Sequence, residues 1–269
     1  KPQTPNPSLS VCLYPPIHPR YITLRITPCI SSHTHPVPML KTYLQGRPAS
    51  TLVEAFVDRH LSDLAKAGLD EKETARLRNG LTFLKMKELC LRAGLASAHL
   101  RLADSDYYDR ELHERAVFLG SPVETLCKTM VMENTAFQTD LAGPHYPRFI
   151  CTVVQYCATL NSDKMMKAVR EWHQTHCPEK KASRSAFNFR VCEESESDRL
   201  SGYGHNGVTP LFFAEPVPVF VAKAIEDVGV GYLWLGGGDT DIKLRVSLAE
   251  LREKAGVEVV VADISNPKK

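Results

Sequence analysis

The sequence lacks the features that would place it in a membrane, in an oxidising compartment, or on nucleic acid through long-range charge. No apolar run approaches the roughly 20 residues that a membrane-spanning helix requires. The formal net charge of the 269 residues is only +2, which is too small to attract nucleic acid over a distance. The eight cysteines show no CxxC spacing, so we expect reduced thiols rather than disulfides. A cytoplasmic protein is the resulting expectation.

Acidic residues are missing from the beginning of the chain. No aspartate or glutamate precedes Glu54, and ten of the 18 prolines lie between Pro2 and Pro48. Proline at this density interrupts both helices and sheet ladders, so residues 1–50 are predicted to be a disordered or extended segment. Because the first methionine is Met39, we also expect that residues 1–38 precede the natural start.

Residues 51–96 have the apolar spacing of two helices. Gly68 is placed to end the first helix, and Asp70 followed by Glu73 is typical of a capping box that begins the second. The predicted apolar stripes consist of Leu52, Phe56, Leu61 and Leu64, and of Leu77, Leu81, Leu84 and Leu91. This helical hairpin either packs on the rest of the protein or offers a docking surface for a synthetase or tRNA.

Residues 97–269 mix strand and helix signals without regular βαβ order. The pattern predicts helices near residues 110–119, 162–176 and 247–255, and strands near residues 126–132, 149–156, 186–191, 208–213, 217–221, 242–246 and 257–261. In the strand at 242–246, Lys243 and Arg245 alternate with apolar residues and are expected on a solvent face. The predicted fold class is α/β of the mixed α+β kind, with a mixed, largely antiparallel sheet and surrounding helices.

Two short segments carry the strongest chemical signal. Leu126–Met132 is an apolar strand with one lysine, Lys128, in its middle. Asn206–Pro210 is a turn in which Gly207 lets backbone N–H groups approach a ligand. A single cation facing such a turn suits a small anionic or ester substrate, whereas a lone lysine in a strand can also simply extend into solvent. Cys127 points to the opposite face from Lys128, so a thiol nucleophile is not expected.

Four segments, in their order along the chain, resemble the YbaK/ProX family of aminoacyl-tRNA editing domains. They are Asp106–Asp109, the strand around Lys128, the turn Gly207–Pro210, and Trp234–Asp239 leading to Leu244. Their sequences are more similar to a eukaryotic branch of the family than to its bacterial enzymes. The resemblance extends from about Ala98 to Ser265, and it closes with Val246–Leu251 and Val259–Ile264. Where the family begins its loop with a glycine, this chain has Asn206, which leaves the size and selectivity of the pocket open.

The resemblance implies the roles of individual residues. Lys128 is the residue tied to activity and would contact the terminal ribose, phosphate or carbonyl of the substrate. The pocket would be formed by His205, Asn206, Gly207, Val208, Thr209 and Pro210, with Gly237 and Gly238 in a tight turn at its edge. No metal and no cofactor are expected.

Several other residues allow a functional and a structural interpretation. Tyr107 and Tyr108 either stack on a terminal adenine or pack at the rim of the core. The cluster His173–Cys177 resembles a metal site but lacks the second pair of ligands that a structural zinc needs. A further group is a candidate tRNA-facing loop or an ordinary solvated loop: Lys180, Lys181, Arg184, Phe187, Phe189 and Arg190.

The sequence therefore favours a free-standing deacylase that hydrolyses mischarged tRNA. The resemblance implies small amino acids such as alanine or cysteine, carried on tRNA(Pro), and partners that are the tRNA acceptor end and a synthetase or multi-synthetase complex. The alternative is a non-catalytic adaptor that holds an acceptor end and docks a synthetase complex through the helical hairpin.

Overall fold

A computed structural model describes Arg59, His60, Asp63 and residues 70–268, with Lys72 described by its backbone alone. The predicted N-terminal segment 1–50 lies outside the described residues, as does most of the first helix of the predicted hairpin. The described chain belongs to one compact unit. None of its helices is long and apolar enough to cross a membrane.

Six helices and ten strands make up the described chain. The helices are α1 (Glu71–Arg92), α2 (Leu112–Leu119), α3 (Ser162–His176), α4 (Glu194–Ser201), α5 (Lys223–Asp227) and α6 (Leu248–Lys254). The strands are β1 (His99–Leu102), β2 (Cys127–Asn134), β3 (Phe149–Gln155), β4 (Ala158–Leu160), β5 (Phe189–Val191), β6 (Val219–Ala222), β7 (Tyr232–Gly236), β8 (Ile242–Ser247), β9 (Val259–Ala262) and β10 (Ser265–Pro267).

The strands form a central five-stranded sheet in the order β5-β2-β3-β6-β9 and a three-stranded sheet in the order β1-β8-β7. Strands β4 and β10 pair separately. Among the strand pairings of residues 70–268, only β3 with β6 and β6 with β9 are parallel. The predicted mixed, largely antiparallel sheet is therefore confirmed.

The two larger sheets meet where strands β2 and β7 begin to run side by side. Leu126 and Trp234 form an isolated parallel bridge there. The indole N–H of Trp234 also donates to Ser121 Oγ at 2.8 Å. Trp234 and Leu126 pack in one apolar cluster with Tyr107, Ala116 and Leu119. This seam brings the beginning of β2 next to the end of β7, which is where both predicted site segments lie.

Helix α1 precedes residues 97–269 in the sequence, and it contributes side chains to the main core. Asp70 caps its first turn by accepting the N–H of Glu73 at 2.8 Å, as the sequence predicts. The residues that α1 buries are Met86 and Cys90, both in the main core cluster, whereas Leu91 of the predicted stripe is 67% exposed. The separation of residues 51–96 from residues 97–269 stays a prediction.

One strand prediction and one prediction of exposure are wrong. Residues 208–213 form an irregular loop rather than a strand, because Pro210 cannot donate to a ladder and Phe212 has a φ of 59°. Lys243 is buried, with 4% of its surface exposed, although the alternation of β8 predicts a solvent face for it.

Candidate functional site

Lys128 lies at the beginning of β2, opposite Val154 of β3. Its side chain is half-buried. Within the described chain it has neither a hydrogen bond nor an ion pair, and the nearby charge that acts on it is that of another cation, Lys268. Burial, followed by the repulsion from Lys268, lowers the pKa of Lys128. A half-buried ammonium group without a carboxylate neighbour is suited to receive an anionic or strongly polar ligand.

The cysteine beside this lysine is a core residue. Cys127 is 4% exposed, and its thiol lies 3.4 Å from the carbonyl oxygen of Thr125. Burial raises the pKa of Cys127. The thiolate form is therefore disfavoured, which makes Cys127 a poor nucleophile.

The turn that contains Gly207 is closed by its own backbone. Gly207 N–H donates to Gly204 O at 3.0 Å, and Gly207 O accepts the N–H of Gly238 at 2.9 Å. The N–H that the sequence interpretation leaves free for a substrate is thus occupied. Glycine is required at this position because two turns touch here.

The contact between the two turns leaves no room for side chains. A Cβ built on Gly207 would lie 2.9 Å from the carbonyl carbon of Gly238, and one on Gly236 would lie 2.6 Å from Val208 O. At Gly237, a Cβ would lie 2.5 Å from a methyl carbon of Ile242. The predicted pocket residues Gly207, Gly237 and Gly238 are therefore brought together, and their shared property is close backbone packing.

The two residues after Gly207 have hydrogen-bond donors that lack an acceptor. Among the described residues, no hydrogen-bond acceptor serves the N–H groups of Val208 and Thr209. Thr209 is fully buried, and its hydroxyl has no partner either. Because buried polar groups are normally hydrogen-bonded, these groups are candidates to bind the oxygen atoms of a ligand.

The remaining residues of the predicted pocket divide between surface and interior. His205 is exposed, and its Nδ1 lies 3.7 Å from a carboxylate oxygen of Glu194. Asn206 is also exposed and has a φ of 60°, so it holds the left-handed conformation that the family's glycine would adopt more easily. Pro210 is buried. His205 and Asn206 thus form the rim, and Thr209 and Pro210 form the interior.

Sequence reasoning misses the most strongly perturbed amine of the site, Lys243. Its Nζ donates to Tyr108 Oη at 2.9 Å and to Thr240 O at 2.6 Å, and it lies 4.6 Å and 4.2 Å from the ring centres of Tyr107 and Tyr108. Burial lowers its pKa to about 8, although Asp241 acts in the opposite direction. A lysine flanked by apolar residues gives no signal in the sequence that it lies under two tyrosines.

Tyr108 connects the buried lysine to the turn. Its hydroxyl donates to Asn206 O at 3.3 Å. The pKa of Tyr108 is raised, first by burial and then by Tyr156. Tyr107, in contrast, is 4% exposed and packs in the core cluster beside Trp234. Of the two tyrosines that the sequence offers as stacking residues, Tyr108 alone reaches the site surface.

Strand register relates Lys128 to the glycine turns. Leu126, two residues before Lys128, is bridged to Trp234, two residues before Gly236, and Gly236 packs on Val208. A polar cleft of about 360 Å³ lies beside this region. Its lining residues are Tyr108, Asp109, Arg110, Glu111, Leu112, Arg115, Tyr156 and Lys268. The cleft therefore borders Lys268, the cation near Lys128, and Tyr108, which donates a hydrogen bond to Asn206 of the turn. In the described chain, no hydrogen bond joins Lys128 itself to residues 205–210.

The predicted basic and aromatic loop has a different arrangement from a nucleic-acid platform. Phe187 and Phe189 are buried in the core, and Arg190 forms an ion pair with Glu133 at 3.1 Å. Arg184 instead lines a cleft of about 920 Å³ with Lys164, Lys167 and Arg170. The basic surface in this region is thus built from α3 and residue 184.

Several solved structures have a similar fold, and they include two proteins that align over most of this chain. A scaffold protein from a study of epitope backbone grafting by computational design has a TM-score of 0.52 and 16% identity, and covers 70% of this chain and 98% of its own. A protein proposed to be a trans-editing enzyme for prolyl-tRNA synthetase has a TM-score of 0.52 and 17% identity, and covers 69% of this chain and 97% of its own. No family model and no curated protein matches the chain. At these identities the likeness shows the fold alone, and the chain shares its mixed α+β fold with these two proteins.

Proposed function

We propose that this protein is a free-standing aminoacyl-tRNA deacylase that hydrolyses tRNA charged with the wrong amino acid. The observation that carries the proposal is the half-buried Lys128, which has a cationic neighbour and no acidic partner among the described residues. The 3′ end of an aminoacyl-tRNA offers a phosphate, ribose hydroxyls and an ester carbonyl, and an unpaired ammonium group can bind any of them.

The reaction needs placement more than a strong nucleophile, because the ester is already activated. A water molecule attacks the carbonyl carbon, the bond from that carbon to the ribose oxygen breaks, and the ribose oxygen receives the proton. Hydrogen-bond donors that face the developing oxyanion lower the barrier. The unpartnered N–H groups of Val208 and Thr209 and the Thr209 hydroxyl are the donors that support this role.

Small amino acids such as alanine or cysteine, carried on tRNA(Pro), are the proposed substrates. Gly207 is buried where the two turns touch, and Pro210 of the same loop is also buried, so little space is available for a large side chain. Proofreading after release is useful for such substrates, because a synthetase pocket distinguishes one methylene by only about 1–3 kcal/mol. A cytoplasmic location, the eukaryotic branch of the family, and association with a synthetase complex are part of the same proposal.

The first experiment compares hydrolysis of mischarged tRNAs by wild-type protein, Lys128→Met and Lys128→Ala. Methionine keeps the apolar stem of the side chain and removes the charge, so Lys128→Met should fold normally and lose at least about a hundredfold in rate, or about 2.7 kcal/mol of transition-state stabilisation. The matched control is Lys87→Ala, an exposed lysine on α1, which should retain full activity.

The adaptor is the second candidate, and two observations favour it. Gly207 N–H is already bonded within the turn, and within the described residues no hydrogen bond links Lys128 to that turn. If folded wild-type protein hydrolyses none of the tRNAs but still binds an acceptor end, the deacylase proposal fails and the adaptor is supported. Hydrolysis that survives both Lys128 substitutions would instead remove Lys128 from the mechanism.

A further inference from the structure

Three potential metal ligands from distant parts of the sequence converge on one surface. They are His145, in the segment before β3, His176 at the end of α3, and Glu258 just before β9. One ligand atom from each lies within 4.8 Å of the others. The carboxylate of Glu258 contacts both histidines: His145 Nε2 lies 3.4 Å from one of its oxygens, and His176 Nε2 lies 3.7 Å from the other.

Neighbouring groups fix how these ligands are presented. His176 Nδ1 lies 2.8 Å from Trp172 O. A carbonyl oxygen only accepts, so Nδ1 carries the hydrogen, and in the neutral ring Nε2 presents a lone pair. The indole N–H of Trp172 donates to Glu258 Oε1 at 2.6 Å, and the ring of His173 bonds to His145 O at 3.0 Å. Hydrogen bonds of this kind orient the ligands of metal sites.

A cation between the three groups would interact favourably with all of them. The lone pair of His176 Nε2 and the carboxylate oxygens of Glu258 repel each other unless a proton or a metal ion lies between them. The rings of His145 and His176 are stacked, with centres 4.3 Å apart and planes 9° from parallel. Protonating both would place two positive rings face to face, whereas one divalent ion would serve both rings and the carboxylate.

We propose that His145, His176 and Glu258 bind a divalent transition-metal ion of the zinc type. Two imidazole nitrogens and one carboxylate form a donor set that zinc accepts, with a fourth position left for water or an external ligand. Tetrahedral zinc needs its ligand atoms roughly 3.3 Å apart, so binding requires that the side chains rotate inward and that the stacked rings of His145 and His176 open until both Nε2 atoms point at the ion.

The proposed metal site is separate from the proposed hydrolytic site. Strand register places Val259, next to Glu258, in one row with Val219, Cys151 and Val131. Lys128 lies three residues from that row and three strands away, a lateral distance of about 14 Å. The ion would join the end of α3 to the beginning of β9 and the segment before β3, and it would act on stability rather than on the ester. Its existence does not depend on the deacylase proposal.

The test is titration of the chelator-treated 269-residue chain with Zn²⁺, monitored by calorimetry and by thermal unfolding. We expect one site with micromolar or tighter affinity and a higher unfolding temperature in its presence. His145→Gln and Glu258→Gln should each weaken the affinity at least about tenfold. His113→Gln, which removes an exposed histidine on α2, should leave it unchanged. Equal affinity in all four proteins would overturn the proposal.

Cobalt gives an independent reading on the wild-type protein, which does not depend on how the variants fold. Co²⁺ in a four-coordinate site of nitrogen and oxygen ligands absorbs strongly in the visible region and shows no thiolate-to-metal charge-transfer band. Cys177 is the partly exposed thiol next to His176. A charge-transfer band that disappears in Cys177→Ser would assign the metal to the cysteine and contradict the proposed ligand set, as would the absence of any visible absorption.

Discussion

Lys243 shows how a single residue connects the two turns of the candidate site. Its ammonium group touches Tyr108, which reaches Asn206, and Thr240, whose hydroxyl donates to His205 O at 3.1 Å. Both ends of the segment 205–206 are therefore tied to one buried cation. Burial lowers the pKa of Lys243 to about 8, so its ammonium group loses the proton at a lower pH than it would in water.

This pKa predicts how stability depends on pH. The unfolded chain binds the Lys243 proton more tightly than the folded chain does, so the free energy of unfolding rises with pH between about 8 and the ordinary value of 10.5. The gain is at most about 3 kcal/mol. Between pH 7.5 and pH 9.5, the change in the free energy of unfolding measured with urea should be more positive for wild type than for Lys243→Met, because the variant lacks the contribution of this lysine.

The exposed lysine Lys87 provides the control, because Lys87→Met should keep the wild-type dependence. The lowered pKa of Lys128 acts in the same direction but is present in all three proteins, so it cancels in the comparison. Equal slopes for wild type and Lys243→Met would contradict the assignment.

At the residue scale, sequence patterns predict which side chains carry functional groups better than they predict what packs around those side chains. The strand that carries Lys128 is predicted within two residues of its observed bounds, because a short apolar run with one charge is a local signal. The burial of Lys243 is not predictable in this way. The group that covers it, Tyr108, lies 135 positions away in the sequence, and alternation in one strand contains no information about what packs on its polar face.

At the scale of elements, the site depends on two turns that pack backbone against backbone. Residues 204–210 and 236–239 approach so closely that the carbonyl and N–H groups of Gly207 and Gly238 meet directly. Each turn also has a backbone hydrogen bond of its own, from Gly207 N–H to Gly204 O and from Ile242 N–H to Asp239 O. The bond from Gly238 N–H to Gly207 O then fixes one turn against the other.

Replacement of one glycine should separate these turns. In Gly207→Ala the new Cβ would lie 2.9 Å from Gly238 C and 3.0 Å from the backbone of Asp239, atoms that cannot move aside as a flexible side chain would. We expect a loss of about 1–3 kcal/mol in the free energy of unfolding, measured by urea denaturation.

Gly204→Ala is the matched control in the same turn. A Cβ on Gly204 has no neighbour within 4 Å, so this substitution should be neutral or slightly stabilising. If both variants lose the same stability, the close approach of the two turns is not what requires glycine at position 207.

Helices and strands of this protein differ in how well the sequence predicts them. Helix α3 is predicted with its observed bounds, because Asn161 accepts the N–H of Lys164 at its beginning and its apolar positions recur every three to four residues. Strands β1, β4, β7 and β10 are missed, since each is short, with three to five residues, and is defined by its partner. The loop at residues 208–213 is mistaken for a strand because its apolar composition outweighs the turn signal of Pro210.

At the scale of the whole molecule, basic residues are concentrated on one surface although the net charge is small. Lys164, Lys167, Arg170 and Arg184 line the cleft of about 920 Å³, with Asp163 as its single acidic residue. Lys164 is paired with Asp263 at 3.0 Å. Arg170 and Arg184 have no ion-pair partner within the described ranges, so they remain available for phosphate groups.

If this cleft contacts the body of a tRNA, removal of the two unpaired arginines should weaken binding in a salt-dependent way. The double variant Arg170→Gln, Arg184→Gln should reduce the slope of log affinity against log salt by about two. Filter binding or fluorescence anisotropy between low and moderate salt would measure it.

A second double variant separates this effect from the general loss of charge. Lys223→Gln, Arg252→Gln removes two cations that already pair with Asp227 and Glu226, and its salt slope should match that of wild type. Identical slopes for both double variants would place the RNA elsewhere on the protein.

Helix α1 has a consequence for where the protein can be divided. Every motif that resembles an editing domain lies after Ala98, so the motifs alone would permit a fragment that begins there. Yet Met86 and Cys90 fill part of the main core, and a Cβ on Gly238 would meet the Met86 side chain at 3.0 Å. Residues 96 and 97 are further anchored, since their N–H groups donate to the carboxylate of Glu250. A fragment that begins at residue 98 would keep every motif that resembles an editing domain but would lose the Met86 side chain that packs on Gly238. The shortest fragment that folds by itself is therefore longer than the region that contains the motifs.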